Sequence, residues 1–165
     1  MTNNIKLIGV VGAGQMGLGI AQVFATSGFD VLINDNNKSA LSNSSEVIKA
    51  NLKKAINKGR LHENVGISSI KKIKSEFDIS QLGKCDLIIE AATEDEKIKH
   101  EIFKDLIPHL QTHTILTSNT SSISITRLAA RTDRPEKFMG CHFMKPAPVM
   151  QLVELVRGIA TNEET

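Results

Sequence analysis

Apolar positions along this chain keep two rhythms, and the rhythms alternate. Short, nearly unbroken apolar runs occur at "IKLIGVV" (5–11), "FDVLIND" (29–35), "CDLIIEA" (85–91), "TILTSN" (114–119) and "KFMGCHF" (137–143). They read as strands buried on both faces, with "MQLVELV" (150–156) as a further one. Between them the spacing lengthens to that of helices. One runs over about 15–27 and ends at Gly28, another from Ser39 to Lys58 with Ile48, Leu52, Ala55 and Ile56 on one face. A third spans about Glu94–Ile107, with Ile98, Ile102, Phe103 and Leu106 marking its face and Pro108 helping to end it, and "ISITRLAA" (123–130) predicts a short fourth. Residues 59–84, broken by Gly59, Gly66 and Gly83, fit neither rhythm well, with short strands expected around 70–74. Strands alternating with helices predict an α/β fold with a mainly parallel sheet, and no internal repeat interrupts it.

The first strand runs directly into "GAGQMG" (12–17), a G-x-G-x-x-G loop at the mouth of a helix. Gly12 permits the tight turn, Gly14 lets backbone approach a pyrophosphate, and Gly17 lets the helix pack on the strand. With Ala13, Gln15 and Met16, these residues would place the free N–H groups of a helix N-terminus beside phosphates. The motif alone is weak, but a strand precedes it, a helix follows, and Asp35 closes the second strand 21 residues after Gly14. A carboxylate there takes ribose hydroxyls. It also repels a 2′-phosphate, and Asn36 and Asn37 supply no cation to welcome one, so NAD is expected rather than NADP. The fold expected is therefore a Rossmann-type doubly wound sheet with flanking helices.

Bulk composition narrows the partners. A chain of 165 residues, 41% hydrophobic and 23% charged, suits one globular domain over residues 1–165. Trp and Tyr are absent, which provides poorly for stacking on bases, and no nucleic-acid partner is expected. No apolar run approaches the ~18 residues of a membrane span, so no membrane partner is expected. Two cysteines make no disulfide framework and no signal-peptide pattern opens the chain, so a reducing, cytoplasmic setting is expected. His109 and His113 have no acid or Cys to complete a ligand set, and no metal site is expected. The net charge of +2 is uneven: the segment from Glu46 to Glu76 carries +5 and the remainder −3. That segment is either a solvated helix face or a patch for a phosphorylated ligand.

At the end of the chain, "CHFMKPAPVMQLVEL" (141–155) sets His142 in an apolar run and brings Glu154 twelve residues later. A histidine in a strand is either a satisfied core residue or a base, and a carboxylate holding its second nitrogen would make it the latter. Together, "GVVGAGQMGLGIA", "DLIIEAATEDEKIKHEIF", "SNTSSISIT" and "GCHFMKPAPVMQLVELV" resemble the NAD-binding domain of the 3-hydroxyacyl-CoA dehydrogenases, including bacterial 3-hydroxybutyryl-CoA dehydrogenases. The resemblance covers nearly the whole chain. It implies NAD-dependent oxidation of a 3-hydroxyacyl-CoA to the 3-oxoacyl-CoA or the reverse, as in fatty-acid β-oxidation or butanoate metabolism. It makes His142 the general acid/base, Glu154 its partner, and Ser121 the serine that bonds the substrate oxygen near C3.

The same resemblance places Glu94 and Lys99, with Ala91, Asn119 and Ser121, along the nicotinamide half of the cofactor site. It places Lys58 near the CoA phosphates and Asn51 at a polar CoA contact. Read without the family, Ser121 is a helix-capping residue, Glu94 a first-turn helix charge and Lys99 a solvated side chain. In "HFMKP", Lys145 stands where the family usually has an asparagine, bringing a charge and donating only; it either alters the cofactor contact or swings to solvent. The family continues into a helical domain that completes the site and makes a homodimer, and that domain is absent from these residues. A dehydrogenase of a free hydroxy acid, and a non-catalytic NAD-binding module, remain alternatives.

Overall fold

The computed structural model describes residues 5–165. In chain order the elements are β1 (Leu7–Val11), α1 (Gln15–Thr26), β2 (Asp30–Asn34), α2 (Lys38–Asn57), α3 (Glu63–Lys72), β3 (Ile73–Glu76), β4 (Leu87–Glu90), α4 (Glu96–Leu106), β5 (Ile115–Ser118), α5 (Ile125–Ala129), β6 (Phe138–Phe143) and β7 (Val153–Arg157). Short 3₁₀ turns lie at Ile79–Lys84, Ile107–His109 and Pro135–Lys137. The seven strands form one sheet in the order β3-β2-β1-β4-β5-β6-β7, parallel except for β7, which runs antiparallel to β6. The chain thus winds outward from β1 to β3, crosses back, and winds outward again from β4. This is the doubly wound topology predicted, with its switch point between β1 and β4.

Each face of the sheet buries its own core. Ile8, Val10, Val31 and Ile33 pack under α1 and α2 with Ile20, Ile48 and Leu52, while Ile88, Leu116 and Phe138 pack under α4 and α5 with Phe103, Leu106 and Leu128. Phe103 meets Phe138 edge to face at 5.2 Å between ring centroids. Cys85 and Cys141 are both free thiols inside these cores, and burial pushes them up to about 12 and about 11. Among the described residues no helix is long and apolar enough to cross a membrane.

Where the rhythm was unclear, the structure supplies the reason. Residues 63–72 form α3, whose inward face is small rather than apolar: Gly66 and Ser69 are its buried residues. A Cβ on Gly66 would come within 2.7 Å of Ile56 Cδ1, so α3 meets the α2 side chain here through a residue that has none. Ser69 Oγ donates to the Val65 carbonyl at 2.6 Å, inside its own helix. The short strand expected around 70–74 lies at 73–76, and the final strand begins at Val153 rather than 150 because Val149 and Met150 turn back onto the Pro146 carbonyl. Helix α4 also differs. Its core face is Lys99, Phe103 and Leu106, and Ile98 stays 46% exposed, so the predicted apolar face is split between the core and the cleft described next.

Candidate active site

The cleft opens along the carboxyl ends of β3, β2, β1, β4, β5 and β6, and has a volume of about 1220 Å³. Six neighbouring strands, β3 to β6, at about 4.8 Å spacing put its two ends about 24 Å apart, long enough for an extended dinucleotide. Its middle is the glycine loop. Gly12 has φ +111°, and a Cβ there would lie 2.7 Å from the Ala91 carbonyl oxygen. On Gly17 it would lie 1.8 Å from the Gly12 carbonyl oxygen. Both glycines are therefore demanded by the protein's own packing. Gly14 is different: a Cβ there would meet nothing within 4 Å. It caps α1 with no side-chain cap and no acid in the first turn, leaving the N–H groups of Gln15, Met16 and Gly17 for an anion. That open space beside free donors fits the pyrophosphate of NAD.

Asp35 lines the cleft next to the loop. Its carboxylate accepts the Ala13 N–H at 2.6 Å and the Asn37 N–H at 2.7 Å, so it also fastens the glycine loop to the end of β2. Sequence reasoning gave it only the ribose. Beyond Asp35, Phe77, Asp78 and Ile79 face Ile98 and Ile102 across the end of the cleft. Their place in the cleft was missed, because it joins elements remote in sequence; Ile98 is 46% and Phe77 50% exposed, while Ile102 is partly buried.

On the other side of the switch point lies a polar network. Lys99 is not solvated: it is 1% exposed, and its ammonium donates to both oxygens of the fully buried Glu90 at 2.8 Å, with Glu94 Oε2 at 3.7 Å. Glu94 does not serve the α4 dipole, because Asp95 caps that helix. Instead Glu94 Oε1 accepts from the Thr120 hydroxyl, the Ser121 N–H at 3.1 Å, the Ser122 N–H at 3.2 Å and the Ser122 hydroxyl at 2.9 Å. Burial pushes Glu94 up, but the Thr120 and Ser122 hydroxyls and the Lys99 charge outweigh it and hold the carboxyl below its ordinary value. Ser121 is exposed and caps nothing, since Ser124 caps α5. It lines the cleft.

His142 and Glu154 are brought together by strand register. Alternation along β6 turns Cys141 and Phe143 into the α1 core and leaves Phe138 and His142 on the α5 face. In the antiparallel β6–β7 pair His142 stands directly opposite Glu154, and Nδ1 lies 2.8 Å from Glu154 Oε2. Asn119 joins the same region: its side-chain oxygen accepts the Phe143 N–H at 2.8 Å. Lys145 is exposed and lines the cleft beside His142, Phe143 and Met144. Ala91 lines it too, whereas Ala13, Gly17 and Glu154 do not, Glu154 reaching it only through His142. Asn51 and Lys58 lie on α2 and at its end, outside this cleft. His113 pairs with Asp86 at 3.1 Å, away from the site.

Comparison with known proteins agrees with this geometry. Residues 7–165 match the family model described as 3-hydroxyacyl-CoA dehydrogenase, NAD binding domain. The chain is 48% identical to a 3-hydroxybutyryl-CoA dehydrogenase of Bradyrhizobium diazoefficiens over 98% of its own length and 55% of that protein's. It is 42% identical to a 3-hydroxyadipyl-CoA dehydrogenase of Escherichia coli, covering 99% of this chain and 34% of that one. The crystal structure of (S)-3-hydroxybutyryl-CoA dehydrogenase from Ralstonia eutropha superposes with a TM-score of 0.93 at 41% identity, over 97% of this chain and 56% of that one. The chain thus spans about half the length of the 3-hydroxybutyryl-CoA dehydrogenases it matches. Glycine loop, acidic clasp, switch-point cleft and sequence likeness converge, and the chain belongs to the NAD-binding domain family of the 3-hydroxyacyl-CoA dehydrogenases.

Proposed function

We propose that this domain holds NAD and the acid–base machinery of a 3-hydroxyacyl-CoA dehydrogenase, converting a 3-hydroxyacyl-CoA to the 3-oxoacyl-CoA or the reverse. The observation that carries the reading is the His142–Glu154 pair at 2.8 Å, at the opposite end of the cleft from Asp35. NAD bound with its adenosine end at Asp35 supplies hydride chemistry at the His142 end. A carboxylate only accepts, so Glu154 accepts the hydrogen bond that Nδ1–H donates and leaves the Nε2 lone pair free toward the cleft. Nε2 removes the C3 hydroxyl proton in oxidation and returns it in reduction, while Glu154 steadies the imidazolium. Ser121 donates to the same oxygen, and Glu94 fixes the backbone from which it does so. Asn119 shapes the wall by holding β6.

The CoA moiety suits the basic α2–α3 side, where Lys58 and Asn51 offer a cation and an amide to its phosphates. The remainder of a longer protein, with the helical domain and the homodimer that the relatives' family implies, would cover the apolar face around β7. There Leu152, Leu155 and Ile159 are 56%, 67% and 90% exposed. Two buried thiols suit the reducing cytoplasm. The test is NADH consumption by the full-length enzyme with acetoacetyl-CoA against free 3-oxo acids. Strong preference for the thioester supports the reading. Equal use of the free acids would favour the hydroxy-acid alternative, and no turnover with either would favour a binding module.

A further inference from the structure

We propose that Glu90, a buried carboxylate that touches neither cofactor nor substrate in the proposed reaction, is a positioning residue for the two loops that form the nicotinamide end of the cleft. The inference rests on the reading of the cleft given above. Glu90 ends β4 and is 0% exposed. Its Oε1 accepts the Ala92 N–H at 2.7 Å and its Oε2 accepts the Ser118 hydroxyl at 2.6 Å, while Lys99 donates to both. Its own carbonyl takes the Asn119 N–H at 2.8 Å. One residue therefore holds the start of the loop after β4, the start of the loop after β5, and α4.

The two loops are then tied to each other. Ser118 Oγ accepts the Thr120 N–H at 3.3 Å, and Glu94 from the first loop accepts from Thr120, Ser121 and Ser122 in the second. Lys99 lies between Glu90 and Glu94 and offsets part of their charge. Buried ion pairs are often replaceable by apolar residues of similar size without loss of stability. A pair kept only to fill the core would therefore be dispensable. Here both Glu90 oxygens are committed to loop donors as well as to Lys99, and an apolar substitute would leave those donors without an acceptor.

The test uses this chain, with NADH affinity from calorimetry and amide hydrogen exchange over residues 91–94 and 119–123. Two variants separate core filling from positioning. In Lys99→Met the Glu90 carboxyl remains in place to accept from both loops. In Glu90→Leu/Lys99→Met the charges leave together and so does the acceptor. We expect both to melt cooperatively. Lys99→Met should keep loop exchange near wild type, whereas the double variant should exchange faster in the two loops and at the wild-type rate in β1 and β2, with NADH affinity roughly tenfold or more below that of Lys99→Met.

A double variant with wild-type loop protection and NADH affinity would overturn the proposal. So would equal losses in both variants, because Lys99 alone would then account for the effect. Should the double variant fail to fold, Glu90→Gln read by the same exchange pattern decides it, with selective loosening of the two loops expected and uniform loosening contradicting. A wild-type chain that binds no NADH would overturn the reading of the cleft, and loop exchange would still decide the role of Glu90.

Discussion

His142 and Glu154 are adjacent because each occupies the same rung of the β6–β7 ladder, so neither needs a rare rotamer or a loop to reach the other. In the full-length enzyme His142→Gln should lower kcat by about 10²–10⁴-fold while NADH affinity stays near wild type. Glu154→Gln should cost less, since the imidazole remains and only its orientation and charge partner weaken. Near-normal turnover in His142→Gln would place the base elsewhere. Glu94 carries a pH dependence of known sign. Its folded-state carboxyl titrates below the ordinary 4.5, so its contribution is present above 4.5 and is lost as pH falls from there through the lower folded value. Exchange protection of residues 120–123 should therefore fall with acidification through that window in the wild type and be flatter in Glu94→Gln. Identical profiles would remove Glu94 as the anchor of that loop.

Residue placement was legible where a motif fixes spacing, as with Gly12, Gly14, Gly17 and Asp35, while the meeting of His142 with Glu154 was expected from the family resemblance and follows from strand register. Placement was hidden where a side chain's meaning depends on long-range packing. Lys99 at helical spacing looks like surface, and only its burial against Glu90, nine residues back on another element, makes it a core cation.

At the scale of elements, the loop between β1 and α1 separates what folding needs from what a ligand needs. Gly17→Ala drives a methyl into the Gly12 carbonyl oxygen at 1.8 Å, an overpacking that should cost about 1–3 kcal/mol or more, read as a lower melting temperature. Gly14→Ala meets no protein atom, so its stability cost should stay near about 1 kcal/mol, the scale of a weakened helix cap. Its NADH affinity should nonetheless collapse, since the methyl takes the space of the pyrophosphate. Equal effects of the two on NADH affinity, both tracking stability, would contradict this division. Strands of continuous apolar residues and the long α2 were legible for the same reason: burial on two faces, or one wide stripe, leaves a period. Helix α3 was not, because Gly66 and Ser69 supply contact without hydrophobicity.

The whole molecule is a sheet whose order, β3-β2-β1-β4-β5-β6-β7, sets the loops in a line and so dictates which residues share a cleft. Alternating strands and helices predicted the class. They could not show that Phe77, Ile98 and Ile102 close the far end, because those contacts join elements remote in sequence. Nor could spacing place Asn51 and Lys58 relative to the cleft, and the structure sets them on α2 beyond its rim. The central claim is that this line of loops is an NAD site, with Asp35 choosing the cofactor at one end. Calorimetric titration of the 165-residue chain with NADH and with NADPH tests it most directly. The account predicts one NADH per chain, with NADPH at least tenfold weaker, and no measurable NADH binding in a folded Gly14→Ala variant. No NADH binding by the wild type, equal affinity for both nucleotides, or wild-type affinity in Gly14→Ala would contradict it.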